Sequence, residues 1–449
     1  MQEFSLHDAL SIERFGVFAY TVSMTEIVSS FLTRHHFSVN PADYNIISLL
    51  RDDMNAKLGG DMTRWQDMTH TWLLPPANPP KNECVIVIDA GGTNFRSCLV
   101  SFDADGVPSI SDFKKGVMPG VAKELSKAEF FDAIADNIDY LKNKADRIGF
   151  CFSYSMTITK DGDGIPNSFS KEVKAREVVG VPVGATLCAV LEKRGWNKIR
   201  HIALLNDTVA ALLAGAAGNG GKSYSSYIGF ILGTGMNGAY IQPALNGENA
   251  QIVVCENGKF GSFDRSDFDV SLDKKSQHPG EYELEKCCSG GYLGPLGLEA
   301  LHAVAEDGIV SADCAAALRN LHELSLIELD GFLHAHAEKN AAKEKASVIG
   351  SCCTDEKDAQ VLFEVLDALV ERCAGYAASI LAACAEQSGA GKDEPICMLC
   401  NGTTFFKTYR LQERIEDYLS SYLAPQKIRY EIVSKEDDIT IGTATAGLV

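Results

Sequence analysis

No stretch of the 449 residues approaches the about 18 consecutive apolar residues that a membrane-spanning helix needs. The opening residues, Met1-Gln-Glu-Phe-Ser5, bring an acid early and no basic region ahead of an apolar run, so neither secretion nor insertion is signalled. Positive charge is also scarce: 41 Lys and Arg face 60 Asp and Glu, for a formal net charge of −19. So acidic a surface repels nucleic acid backbones and anionic membranes, and neither is expected as a partner. Zinc spacing is missing as well. Cys397-Met-Leu-Cys400 has no second CxxC or His pair to complete it, and the vicinal pairs Cys287-Cys288 and Cys352-Cys353 stand alone. The 14 cysteines lie instead in apolar runs such as Leu187-Cys188-Ala-Val190 and Leu381-Ala-Ala-Cys384, the pattern of reduced core residues.

What is present is a globular composition, 46% hydrophobic and 22% charged. The length allows about three domains at about 150 residues each, although large α/β folds often use two. Residues 1 to about 70 read as helical, with Phe15, Phe18, Val22, Ile27 and Phe31 recurring at three to four residues. Pro75, Pro76, Pro79 and Pro80 then stop any helix. The β-branched run Cys84-Val-Ile-Val-Ile-Asp89 follows, then Gly91-Gly92-Thr93-Asn94, then Phe95-Arg96-Ser-Cys-Leu-Val-Ser-Phe102: strand, glycine turn, strand. The pattern returns as Ser226 to Leu232, Gly233-Thr234-Gly235-Met-Asn237-Gly238 and Ala239-Tyr-Ile-Gln242. Helical patterns come later in each copy, as over 130–141 and 208–217, and helix formers dominate from Ala315 to Ala385. A strand over 396–400 and small residues near the C-terminus, suited to a tightly packed helix, complete the chain. A divergent duplication with two α/β domains facing one another is expected.

Two glycine motifs invite misreading. Gly233-Thr-Gly235-Met-Asn-Gly238 satisfies the dinucleotide fingerprint, and Glu256 stands where a ribose-binding acid would, but strand-like residues follow instead of a helix. Gly215 to Ser223 resembles a phosphate-binding loop, yet Ala216 occupies the required first glycine position and the segment joins helix to strand, the reverse of the required order. Recurring glycine-threonine turns after apolar strands are more informative. Exposed backbone N–H groups in such turns form nests for anions, and two of them can hold one polyphosphate.

The motifs Ile88-Asp89-Ala-Gly91-Gly92-Thr93-Asn94-Phe95-Arg96, Leu205-Asn206-Asp207-Thr208 and Leu232-Gly233-Thr234-Gly235-Met-Asn237-Gly-Ala-Tyr240 closely resemble those of the hexokinase family. The likeness runs from the N-terminal helical region to the C-terminus and takes in Phe152-Ser153-Tyr154, Lys259-Phe-Gly-Ser-Phe263 and Tyr282-Glu-Leu-Glu285-Lys286 through Gly294. It implies an actin-like ATPase (ribonuclease H-like) fold: a small domain over 76–205 completed by 439–449, a large one over 206–438, and N-terminal helices over 1–75 packed with the large domain. The implied activity is transfer of the ATP γ-phosphoryl group to a hexose 6-hydroxyl in the cytoplasm, by a monomer or homodimer.

Asp207 is the general base by this resemblance; read locally, Asn206 or Asp207 would equally cap the helix that follows. Sugar contacts fall on Ser153, Ser170, Lys171, Asn206, Asp207, Asn237, Glu256 and Glu285, with Lys171 also in the catalytic set. Without the resemblance, Lys171, Glu256 and Glu285 read as solvated surface charges. Asp89 to Asn94 and Gly233 to Gly235 are placed at the phosphates, with Asp89 the partner of Mg²⁺ through water. Arg96 either stabilises negative charge or forms a structural ion pair. Asn401-Gly402-Thr403 takes the place of the adenosine loop, with a plain turn as its alternative.

The sequence departs from the family pattern at four places. Phe-Ser-Phe-Pro is here Phe152-Ser153-Tyr154-Ser155, the Thr-Lys pair is Ser170-Lys171, Glu-Trp-Gly is Glu256-Asn257-Gly258, and Asp-Gly-Thr is Asn401-Gly402-Thr403. The choice of hexose and of phosphoryl donor is therefore open. The alternative function is a non-catalytic sugar-binding regulator on the same fold.

Overall fold

The computed structural model describes residues 24–40, 44–169, 173–197, 199–217 and 222–449. Two sheets carry the architecture. The first contains β2 (Glu83–Gly91), β3 (Asn94–Phe102), β4 (Pro108–Val117), β5 (Arg147–Phe152) and β8 (His201–Leu205) in the order β4-β3-β2-β5-β8. The second contains β1 (Thr69–His70), β9 (Ser226–Leu232), β10 (Met236–Gln242), β11 (Gln251–Val254), β12 (Ile396–Asn401) and β13 (Tyr430–Val433) in the order β1-β11-β10-β9-β12-β13. A short hairpin of β6 (Met156–Ile158) and β7 (Gly164–Pro166) stands apart.

Setting aside the edge strand β1, the sheets share one topology. The first three strands of each are antiparallel neighbours, and the next two add in parallel, β5 and β8 on β2 in one sheet and β12 and β13 on β9 in the other. This is the duplicated α/β architecture of actin-like ATPase domains. The run Val85 to Ile88 at the centre of β2 is buried on both faces, which is why it reads as a continuous apolar strand.

The halves interlock through two helices. β8 leads into the helix Asp207–Ala216, which lies on the second sheet so closely that a Cβ at Gly229 of β9 would stand 2.2 Å from the Thr208 carbonyl oxygen. Helix Asp438–Ala446 follows β13 and lies on the first sheet, where a Cβ at Gly149 of β5 would stand 2.0 Å from the Thr443 carbonyl oxygen. The two helices meet where Gly442 faces Ala210. The chain thus crosses between the sheets at Leu205–Asp207 and again near Asp438.

Several sequence expectations change on folding. Phe15, Phe18 and Val22 lie outside the described residues. In helix Glu26–Arg34 Phe31 is buried, but Ile27 is 56% exposed and does not belong to the apolar face. Helical structure ends at Leu58, well before residue 70, because Gly59 and Gly60 follow and the chain then turns to supply β1. Helix Glu356–Ser388 is long and apolar enough by length and composition to cross a membrane, but its apolar window is wholly buried inside the fold. All 14 cysteines are free and most are buried. β10 follows Gly233–Gly235 as a strand, against a dinucleotide turn, and Gly215 lies within a helix that precedes β9.

Candidate active site

The ends of β5, β8, β10 and β11 converge on a cleft of about 410 Å³. Ser153 and Tyr154 continue from β5, Asn206 and Asp207 follow β8, Asn237 lies on β10, Glu256 follows β11 and Glu285 sits on the short helix Glu283–Cys288. Thr234 and Gly235 of the second glycine turn also line it. Of the sugar-contacting residues expected from sequence, Ser153, Asn206, Asp207, Asn237, Glu256 and Glu285 are therefore brought together. Ser170 and Lys171 lie outside the described residues.

Local chemistry fixes each group. Asn206 caps helix Asp207–Ala216, its side-chain oxygen accepting from the Val209 N–H at 2.9 Å. The cap is thus filled without Asp207, whose carboxylate accepts a long 3.3 Å bond from the neighbouring Thr208 hydroxyl. Burial raises the Asp207 carboxyl above its ordinary value and the charge of Asp89 adds to this, against the opposing Thr208 N–H.

Asn237 orders the opposite wall. Its Nδ2 donates to Glu256 Oε1 at 2.7 Å, and its Oδ1 accepts from the Glu256 N–H at 3.0 Å. Burial lifts the Glu256 carboxyl to about 7. Its backbone is left-handed at φ 56, as is that of Tyr282 at φ 54, a conformation costing roughly 1–3 kcal/mol in a non-glycine residue and held only by its surroundings. Glu285 accepts from the Met236 N–H at 3.0 Å and is raised by burial. The fit beside it is tight: a Cβ at Gly235 or Gly258 would stand 3.0 Å or 3.2 Å from its Oε2, so the Glu285 side chain would have to give way. Neither glutamate is a solvated surface charge.

Lys259 and Tyr282 also line the cleft, and sequence reading gave them no role although both stand in motifs of the resemblance. Lys259 pairs with Asp67 at 2.6 Å, and this attraction outweighs burial, which alone would lower the ammonium. Asp67 comes from the segment before β1, so periodicity gave no signal for it. The same segment reaches Asn257, where the family pattern has tryptophan: the Asn257 amide, fully buried, donates to Gln66 Oε1 at 2.6 Å.

The first glycine turn adjoins the cleft behind Ser153 and Tyr154. Gly91 pairs with Asn94, leaving Gly92 and Thr93 at the tip, and a Cβ at Gly91 would stand 3.0 Å from Ser153 Cβ. Asp89 faces Arg96 across the β2–β3 ladder, and their side chains pair at 2.6 Å. The Arg96 ion pair thus lies within the first sheet. At the second turn, Gly233 O accepts from Gly290 N–H at 2.8 Å and from the Thr404 hydroxyl at 3.0 Å. Asn401-Gly402-Thr403 is accordingly packed on that turn, and it is not a plain turn: Gly402, at φ 120, opens the short helix Thr403–Lys407. Asn401 Nδ2 donates to both carboxylate oxygens of Asp438, each at 2.7 Å.

The paired sheets, the interlocking helices and a cleft at the strand ends define a two-domain α/β protein of the duplicated actin-like type. Two family models, both described as hexokinase, match residues 27–217 and 227–449. The chain belongs to the hexokinase family. It is 30% identical over 250 residues to Hexokinase-1 of Schizosaccharomyces pombe, an alignment covering 51% of this chain and 51% of that protein. Similarity to Hexokinase-1 of Spinacia oleracea extends over 390 residues at 25% identity, covering 78% and 76% of the two chains. The hexokinase of Schistosoma mansoni, solved in complex with glucose, superposes with a TM-score of 0.76 at 24% identity, covering 94% of this chain and 98% of that one.

Proposed function

We propose that this chain is an ATP-dependent hexokinase that transfers the γ-phosphoryl group to the 6-hydroxyl of a hexose, with glucose the first candidate. The observation that carries the reading is Asp207: a half-buried carboxylate at the helix head, relieved of capping by Asn206 and facing a polar cleft flanked by two glycine turns. Phosphoryl transfer needs an oriented nucleophile, neutralised phosphate charge and excluded water. Asp207 accepts the 6-hydroxyl proton, and its raised carboxyl value makes it a stronger base than a free aspartate. Asn206, Asn237, Glu256 and Glu285 present amides and carboxylates to hydroxyls that both donate and accept. Gly91–Asn94 and Thr234–Gly235 offer backbone N–H groups to the nucleotide phosphates, the Gly233 N–H being held by the Gly235 carbonyl oxygen at 3.0 Å, with Asn401–Thr403 toward the nucleoside.

Asp89 is the residue that would hold Mg²⁺. Among the described residues no cluster of three or more His, Cys, Asp or Glu forms a cation cage, and a single carboxylate beside a phosphate turn fits an ion that keeps its waters and is held largely by substrate phosphates. When bound, the ion supplies charge neutralisation. Closure about Leu205 and Ile439, where the chain crosses between sheets, would exclude water after the sugar binds. The reading places the enzyme in the cytoplasm as a monomer or homodimer.

The test is ADP release with MgATP across glucose, mannose, fructose, glucosamine and N-acetylglucosamine, with Asp207→Ala as control. Sugar-dependent turnover lost in the variant is the expected result. Sugar binding without turnover in the wild type would overturn the reading in favour of a regulator.

A further inference from the structure

Backbone hydrogen bonds hold two opposite charges next to Glu256. The Lys259 N–H donates to the Glu256 carbonyl oxygen at 3.1 Å, closing the tight turn Asn257–Lys259, and the Asp67 N–H donates to the carbonyl oxygen of Cys255, the residue before Glu256, also at 3.1 Å. Lys259 Nζ donates to Asp67 Oδ2 at 2.6 Å and stands 5.6 Å from the centre of the Tyr282 ring. Such a pair could serve only to fasten the segment before β1 to the turn after β11. That fastening is already supplied by the Asp67 backbone bond and by the Asn257–Gln66 bond, neither of which needs charge. The pair is half-buried, where charges are screened less than at the surface, and Lys259 and Glu256 line the same cleft.

The groups that act on the Glu256 carboxyl come from five places. Burial opposes its charge most, and Lys259 offsets part of this; Asp67 and, from the helix head, Asp207 add to the opposition, while the Asn237 amide on β10 favours the charge. Tyr282 and Cys255 also face it, and burial raises both, so that they stay uncharged.

We propose that Lys259 is a positioning residue for the sugar: its ammonium keeps Glu256 in the carboxylate form that accepts a sugar hydroxyl, and Asp67 sets how strongly it does so. The inference rests on the hexokinase reading, in which Glu256 contacts the sugar.

The test is calorimetric titration of the full chain with glucose from about pH 6 to about pH 9, in the wild type, Lys259→Met and Asp67→Asn. Lys259→Met removes the charge and keeps the apolar stem; affinity should fall about threefold near pH 7 and return to within about twofold of wild type near pH 9. Asp67→Asn frees the ammonium from its counter-charge, so affinity should rise about twofold near pH 6. A bridge that only fastens the two segments is broken by either substitution, so both variants would then change in the same direction at every pH; that result would overturn the proposal. In a Glu256→Gln background both pH-dependent effects should vanish, and their persistence would overturn it too. Lys259→Gln stands in should Lys259→Met fail to fold, and Lys259→Arg, which keeps the charge, should retain the wild-type profile. MgATP-dependent glucose turnover in the same preparation reports on the hexokinase reading separately: turnover with both variants shifted alike sinks this inference alone, whereas a wild type that neither binds nor phosphorylates glucose sinks the reading beneath it.

Discussion

The Tyr154 hydroxyl donates to the Gly92 carbonyl oxygen at 2.9 Å and so joins the wall of the cleft to the tip of the first glycine turn. A phenylalanine, the family pattern at this position, cannot make this bond. Tyr154→Phe should therefore leave the sugar KM nearly unchanged and raise the ATP KM a few-fold, with about 1 kcal/mol of stability lost. Initial-rate kinetics with each substrate varied in turn, together with urea denaturation, check it. An effect on the sugar KM alone would refute the link to the turn.

Asp207→Asn keeps the shape of the helix head and leaves the Asn206 cap in place. Turnover should fall roughly 10²- to 10⁴-fold, the usual contribution of a general base. Sugar affinity measured by calorimetry should change much less. Retention of wild-type turnover would remove Asp207 from the chemistry.

Burial lifts the Glu256 carboxyl from its ordinary value of 4.5 to about 7. A sugar hydroxyl that donates to this group is bound best by the carboxylate, so sugar affinity should rise as the pH increases from about 6 to about 8, and Glu256→Gln should flatten the profile. Stability moves the other way. Since the folded value lies above the unfolded one, the folded chain holds the extra proton between about 4.5 and about 7, and Glu256's share of stability is lost as pH rises through that window. Thermal unfolding of the wild type and Glu256→Gln across that range would show it; a pH dependence identical in both proteins would contradict the assignment.

Gly442→Ala tests the helix crossing. A Cβ there would stand 1.8 Å from the Ala210 carbonyl oxygen, and backbone on backbone has no side chain that can swing aside. The two helices must separate, at a cost of about 3 kcal/mol or more. A denaturation midpoint equal to wild type would show that the helices do not pack this closely.

Much of this protein was legible along the chain because the signals were local. Runs such as Val85 to Ile88 have to be buried strands, and glycine-threonine turns after two such runs pointed to a duplication that the shared strand order reproduces. Asn206-Asp207-Thr208 likewise announced a helix start, since both Asn and Asp suit a cap, but only the hydrogen bond to Val209 decided which residue fills it.

Groups that act on one another from distant parts of the chain were beyond such reading. Asp67 meets Lys259, Gln66 meets Asn257 and Thr69 pairs with Val254 because β1 adds to the far edge of the second sheet, a pairing no periodicity specifies. Sequence supplied the residue types, the strands, the turns and the duplication, all of which depend on neighbours in the chain. Which carboxylates are raised by partial burial, which side chain caps the helix and which distant residues pair were settled by tertiary packing, because burial and charge pairing depend on what the fold brings near, however far apart in sequence.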